Sequence, residues 1–147
     1  MSKTRCLIHI VFATKRREMT IPEQHKRRLY AYIMGTVANK GCHLLRINGI
    51  GNHIHMLIDL HPSVPLAGLV QTVKQWSSRW IKDMPEFSMF DGWGEGYYAV
   101  SVGLESVEAV KRYIINQEIH HAVKAFDDEI QDLAQHSGMD WHEKDLW

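Results

Sequence analysis

Residues 43–60 read HLLRINGI, then GN, then HIHMLIDL. Two extended apolar runs with only Gly51 and Asn52 between them can close as an antiparallel hairpin and as little else, although Gly-Asn is a weaker turn signal than Asn-Gly. Strand side chains alternate between faces, so this hairpin also dictates what must surround it. Ile54, Met56, Ile58 and Leu60 point one way and need an apolar layer above them. His53, His55, Leu57 and Asp59 point the other way.

The flanking chain supplies that layer. Residues 6–14, CLIHIVFAT, are rich in Ile, Val and Phe, lack a breaker, and read as a first strand. After the charged turn KRRE, Thr20 and Pro22 open a helix that runs to Lys40 and stops at Gly41. It carries Leu29, Ile33 and Val37 at four-residue spacing. Beyond the HPSVP break, Leu66–Lys82 is a second helix with Leu69, Val73, Trp76 and Trp80 on one stripe; the tryptophans read as core. A loop containing Pro85 and DGWGEGY precedes a last strand at 97–102. Ser106 caps a third helix reaching about His121. Phe126–His136 is a fourth helix, and DWHEKDLW a short tail. The order strand, helix, strand, strand, helix, strand is the split βαβ arrangement of a ferredoxin-like sandwich. The expected fold is α+β: a four-stranded antiparallel sheet with helices on one face, plus a C-terminal helix. The other face is bare unless something covers it.

At 147 residues the chain suits one domain, 1–147, around a single core. The 17 basic and 17 acidic residues cancel, so no global field attracts nucleic acid, while a local patch still can. Cys6 and Cys42 are too few for a disulfide framework and indicate a reduced, cytoplasmic protein. No apolar run approaches the roughly 20 residues that span a bilayer. The short run near the N-terminus contains His9 and lacks a leader's cleavage pattern, so no membrane partner is expected.

Two imidazoles two residues apart on a strand lie side by side within reach of one cation, and neutral imidazole is a common ligand. Two solvent-facing histidines on a half-exposed strand have the same spacing. The third helix, VEAVKRYIINQEIHH, puts Tyr113 and Gln117 on one face with His120 nearby. Val107, Val110 and Ile114 form an adjacent apolar stripe, and Ile115 and Ile119 project roughly opposite. Such a helix touches more than one surface. Tyr113 belongs either to a site or to an ordinary half-buried position.

Together, GNHIHMLIDL, GWGEGYYAVSV and VKRYIINQEIHH resemble the single-tyrosine HUH (His, hydrophobic, His) transposases. The likeness is greatest to the insertion-sequence-two-hundred-like group, which mobilises DNA as single strands. It runs over nearly the whole chain, from the first strand and TKRRE to HHAVKAFDDEI and EKDLW. The resemblance implies that His53 and His55 are metal ligands, Gln117 the third protein ligand and Tyr113 the nucleophile. It also implies a homodimer in which the tyrosine helix of one subunit completes the other's site. The implied reaction cuts and rejoins single-stranded DNA near hairpin ends. Tyr113 becomes joined to the 5′ phosphate and a 3′ hydroxyl is freed, which later attacks the phosphotyrosine. A phenol of pKa about 10 is a poor nucleophile at neutral pH, so a divalent metal must contribute strongly. The His, His, Gln set suits Mg²⁺ or Mn²⁺. No separate general base stands out in the sequence.

Lys15, Arg16 and Arg17 form the densest basic turn. Lys26, Arg27 and Arg28 add a basic face on the first helix, and Lys74 and Arg79 lie on the second beside Gln71, Ser77 and Ser78. Each cluster can grip phosphates of a hairpin or single strand, and each equally suits a solvated surface. Gly103, before the tyrosine helix, is a hinge on one reading and a plain loop glycine on the other. Three other functions fit the residues: a non-catalytic hairpin or single-strand binder on this fold, a domesticated relative that nicks without transposing, and a metal hydrolase that uses water.

Overall fold

A computed structural model describes residues 2–118 and 125–139. It contains β1 (Leu7–Ala13), α1 (Lys26–Asn39), β2 (His43–Ile50), β3 (His53–Asp59), α2 (Leu66–Lys82), β4 (Tyr98–Ser101), α3 (Val107–Ile115) and α4 (Phe126–His136). The strands form one antiparallel sheet in the order β2-β3-β1-β4, the ferredoxin-like topology expected from the element order. No helix among the described residues is long and apolar enough to cross a membrane.

One face of the sheet carries the main core. Ile10 and Phe12 of β1 and Ile54, Met56 and Ile58 of β3 are fully buried beneath α1 and α2. The helices meet them through Leu29, Ile33 and Val37 and through Leu69, Val70 and Val73. Helix α1 begins at Lys26, later than the Pro22 signal, because residues 22–25 close a turn in which the His25 N–H donates to the Pro22 carbonyl at 3.1 Å. Gly41 ends it at φ +79°, a conformation open to glycine. On α2 the inward row is Leu69, Val73, Ser77 and Ile81. Trp76 and Trp80 therefore flank the stripe. Trp80 stacks on Tyr32 at 5.0 Å between centroids, and Trp76 receives the Lys40 ammonium over its ring. Ser77 accepts the Trp93 indole N–H at 2.9 Å.

The opposite face, expected to be bare unless something covers it, is covered by α3 and α4 of the same chain. Leu57 packs with Leu7 and Ile114, while Val11 and Ala13 pack with Phe126 and Ile130. Helix α3 spans Val107–Ile115, and the expected helix end near His121 lies outside the described residues. Asn116 breaks it at φ −93°, ψ 25°, and Gln117 and Glu118 start a new helical turn. Ile119, His120 and the tail DWHEKDLW lie outside the described residues.

The β2–β3 hairpin fixes where His53 points, and Gly49 fixes the hairpin. A Cβ on Gly49 would lie 2.1 Å from the His53 carbonyl oxygen. Gly49→Ala is therefore expected to destabilise the fold by about 1–3 kcal/mol through overpacking. Ile33→Ala, which empties a fully buried site, should cost about 2–5 kcal/mol. Chemical denaturation of the two variants checks both figures.

Candidate active site

The second sheet face owes its chemistry to register. Antiparallel partners share a face, and the pairs His9↔Leu57, Val11↔His55 and Ala13↔His53 place three histidines among apolar neighbours. His53 and His55 are fully buried, and His9 is 4% exposed. Helix α3 brings Tyr113, and the turn after it brings Gln117. Helix α4 brings Glu129, itself only 3% exposed. His53 stacks on Phe126 at 4.1 Å between centroids.

Hydrogen bonding sets the ring orientations. The Asn52 amide donates to the Arg17 carbonyl at 3.3 Å, which turns Asn52 Oδ1 toward His53 Nδ1 at 2.8 Å. His53 Nδ1–H is the donor there, so Nε2 presents its lone pair. That lone pair faces Gln117 Oε1 at 3.1 Å. The Gln117 amide is oriented by its own N–H donation to the Tyr113 carbonyl at 3.2 Å. Two acceptors thus face each other across the site. An electropositive centre between them reconciles the arrangement. Glu129 lies on the same spot: Oε1 is 3.1 Å from His55 Nε2, and Oε2 is 3.7 Å from His53 Nε2. One ligand atom from each of His53, His55 and Glu129 falls within 4.8 Å of the others. With Gln117 Oε1, this mixed nitrogen and oxygen set fits a divalent cation such as Mn²⁺ or Mg²⁺.

The nucleophile candidate is held at the same carboxylate, since Tyr113 donates its hydroxyl proton to Glu129 Oε1. Burial holds the Tyr113 phenol above its ordinary range. The hydrogen bond to Glu129 and that carboxylate's charge add to the effect, and Gln117 opposes it. His9 Nε2 lies 2.9 Å from His55 Nδ1. Burial lowers the His9 pKa to about 3, with His55 adding and Glu129 opposing, so His9 is a neutral partner that orients His55. A cleft of about 430 Å³ opens beside the phenol, lined by His9, Tyr98, Val100, Val110, Tyr113 and Leu133 among others.

Lys15, Arg16, Lys74 and Arg79, four of the basic residues singled out in the sequence, gather around the 91–96 loop, beside the His53 end of the sheet. The Lys15 N–H donates to the Gly92 carbonyl, and Arg16 pairs with Asp91 at 2.8 Å and Glu18 at 3.0 Å. Arg17 reaches Asp127 at 3.4 Å. Lys74 donates to the Gly94 and Gly96 carbonyls at 2.9 and 2.6 Å, and with Arg79 and Trp93 it lines a groove of about 540 Å³. Lys26 of the α1 triplet is buried, whereas Arg28 pairs at the surface with Glu86.

A profile of the family described as "Transposase IS200 like" matches residues 2–117. The chain belongs to the IS200-like transposase family. Its curated relatives include the transposases for insertion sequence element IS200 of Salmonella typhimurium strain LT2 and of Salmonella typhi. Each is 25% identical over 121 residues, covering 79% of both chains. Two solved structures share the fold. A Deinococcus radiodurans R1 protein assigned as a transposase has a TM-score of 0.59 and 20% identity, over 79% of this chain and 93% of its own. A REP-associated tyrosine transposase bound to a REP hairpin has a TM-score of 0.61 and 12% identity, over 82% of this chain and 74% of its own.

The IS200-like match takes in His53, His55, Tyr113 and Gln117, all of which meet in one cluster. Glu129 and Phe126 lie beyond it. Neither they nor His9 was singled out from sequence. Glu129→Gln keeps the shape but removes the charge, so divalent-metal binding by calorimetry should weaken about tenfold or more.

Proposed function

We propose that the chain is a metal-dependent transposase that cleaves and rejoins single-stranded DNA near hairpin ends through a 5′-phosphotyrosine. The observation that carries this reading is the meeting of Tyr113 with His53, His55 and Gln117 at the Glu129 carboxylate. Tyr113 Oη attacks phosphorus, an O–P bond forms and the bond to the 3′ oxygen breaks. The 3′ oxygen leaves as a hydroxyl after taking a proton from solvent. The phenolic proton passes to Glu129 Oε1, its hydrogen-bond acceptor, which supplies the base that the sequence lacked. In the reverse direction a 3′ hydroxyl attacks the phosphotyrosine and the strand is resealed.

His53, His55, Gln117 and Glu129 would hold the cation, Mg²⁺ or Mn²⁺. When bound, it polarises the phosphoryl oxygen and neutralises charge. The cleft beside Tyr113 gives room for the nucleotide at the cut. Lys15, Arg16, Arg17, Lys74 and Arg79 are the proposed phosphate contacts, and their grouping beside the His53 end supports a strand running over that edge. The relative bound to a REP hairpin favours a hairpin as the folded part of the substrate. A homodimer remains part of the proposal, with Tyr113 acting in cis in the state described.

The test is a single-stranded substrate carrying a hairpin, incubated with Mn²⁺ or Mg²⁺. A denaturant-stable adduct is expected, with mass spectrometry placing the DNA on Tyr113. Tyr113→Phe should abolish it, as should chelation of the metal. His53→Ala or His55→Ala should reduce cleavage at least a hundredfold, on the order of a lost catalytic group, while hairpin binding persists. Cleavage that survives Tyr113→Phe would sink the reading in favour of water-based hydrolysis.

A further inference from the structure

Lys26 sits in what reads as a surface basic triplet, yet it is 3% exposed. Its ammonium donates to the Gly49 carbonyl at 3.0 Å and to Glu118 Oε1 at 2.5 Å, and it forms an ion pair with Glu23 Oε1 at 3.0 Å. These partners are not scattered. Gly49, near the end of β2, is the residue whose backbone lies against the His53 carbonyl, so it belongs to the hairpin that presents the first histidine. Glu118 immediately follows Gln117, whose side chain meets His53 Nε2. The other oxygen of Glu118 accepts from the Asn48 amide at 3.2 Å, and the same amide donates to the Ile115 carbonyl, the last of α3, at 2.8 Å.

We propose that Lys26, acting with Glu118 and Asn48, is a positioning residue that locks the Gln117 segment onto the hairpin carrying His53. The inference rests on reading the cluster as a metal and tyrosine centre. The reason for a lock lies in the chain itself. Asn116 interrupts α3 just before Gln117, so the helix ladder does not carry Gln117 rigidly from Tyr113. Its side chain is tied to the Tyr113 carbonyl, and its segment gains further fixed points from outside the helix. Lys26 and Asn48 supply them from α1 and β2. Residues that orient ligands from behind typically change metal affinity about 10–100-fold when removed.

Mn²⁺ binding, measured by electron paramagnetic resonance of the free ion, tests the lock without relying on turnover. Lys26→Met, Glu118→Gln and Asn48→Ala are compared with the unmodified chain, with circular dichroism as the folding check and His53→Ala as the site control. Lys26→Met is expected to weaken Mn²⁺ binding about 10–100-fold. Adduct yield should return toward normal at saturating Mn²⁺. Glu118→Gln and Asn48→Ala should shift the same way by less. Folded variants that bind Mn²⁺ like the unmodified chain overturn the lock. So does a Lys26→Met chain whose hairpin binding loses salt dependence at unchanged Mn²⁺ affinity, since Lys26 would then be a phosphate contact. Should Lys26→Met not fold, unchanged affinity in both milder variants is decisive against it. If the unmodified chain binds no Mn²⁺ at a site sensitive to His53→Ala and forms no adduct, the active-site reading fails and the lock with it. If it binds Mn²⁺ in that way and the lock variants do not matter, the lock alone fails.

Discussion

Three histidines on one buried sheet face set the terms for everything packed against them. A buried polar group without a partner costs about 1–3 kcal/mol, so His9, His53 and His55 cannot be roofed by an ordinary apolar helix. The roof is instead mixed. Ile114 and Ile130 supply the apolar area, and Gln117, Tyr113 and Glu129 supply groups that meet the imidazoles. Strand β3 is thus used twice. Its even positions build the common core with α1 and α2, and its odd positions build the chemistry with α3 and α4. A slip of one residue in the β1–β3 register would exchange the two sets and lose both.

The two layers differ in how they relate to the family. The IS200-like match ends at residue 117, so the sheet, α1, α2 and α3 fall inside it and α4 does not. Yet α4 contributes the ring that stacks on His53 and the carboxylate that joins the histidines to the phenol. The tip of α4 is tied back to the sheet by Tyr98, whose hydroxyl is 2.8 Å from Ser137 Oγ. The matched segment supplies His53, His55, Tyr113 and Gln117. The helix beyond it packs over them, and its Glu129 carboxylate helps hold the Tyr113 phenol above its ordinary range.

The sequence carried the hairpin, the alternation of β3, the Leu29, Ile33 and Val37 row and the strand order, because each is a local periodicity with a breaker at its end. The polar residues that escaped it share one trait: each is a charged or polar side chain standing at an inward position. Lys26 precedes Leu29, Tyr30 and Ile33 by three, four and seven residues, so helical geometry alone aims it at the core. Glu129 falls between Phe126 and Ile130 in the same way, and His9 alternates with Leu7 and Val11 on β1. Reading the residues by charge assigned Lys26 to a basic surface, and reading them by phase would have buried it. The covering of the second face was hidden for another reason. Amphipathicity shows that α3 and α4 have something to bury, but not against which surface.

Inward-facing charged groups also govern where Tyr113 sits. Lending α3 to a second copy would require parting Tyr113 from Glu129 and Glu118 from Lys26. Removing the partner of a buried charge costs about 3–5 kcal/mol when nothing replaces it. A receiving subunit would have to offer an equivalent carboxylate and an equivalent ammonium in the same places. Gly103, at φ −72° and ψ 156°, occupies a conformation open to any residue, so its backbone does not mark it as a hinge. Within one chain, by contrast, both pairs are already made, and the histidines, the phenol and the carboxylate meet without a second copy. The Tyr113–Glu129 contact that meets the histidine face, with the Lys26–Glu118 pair, therefore also keeps Tyr113 beside the histidines of its own chain.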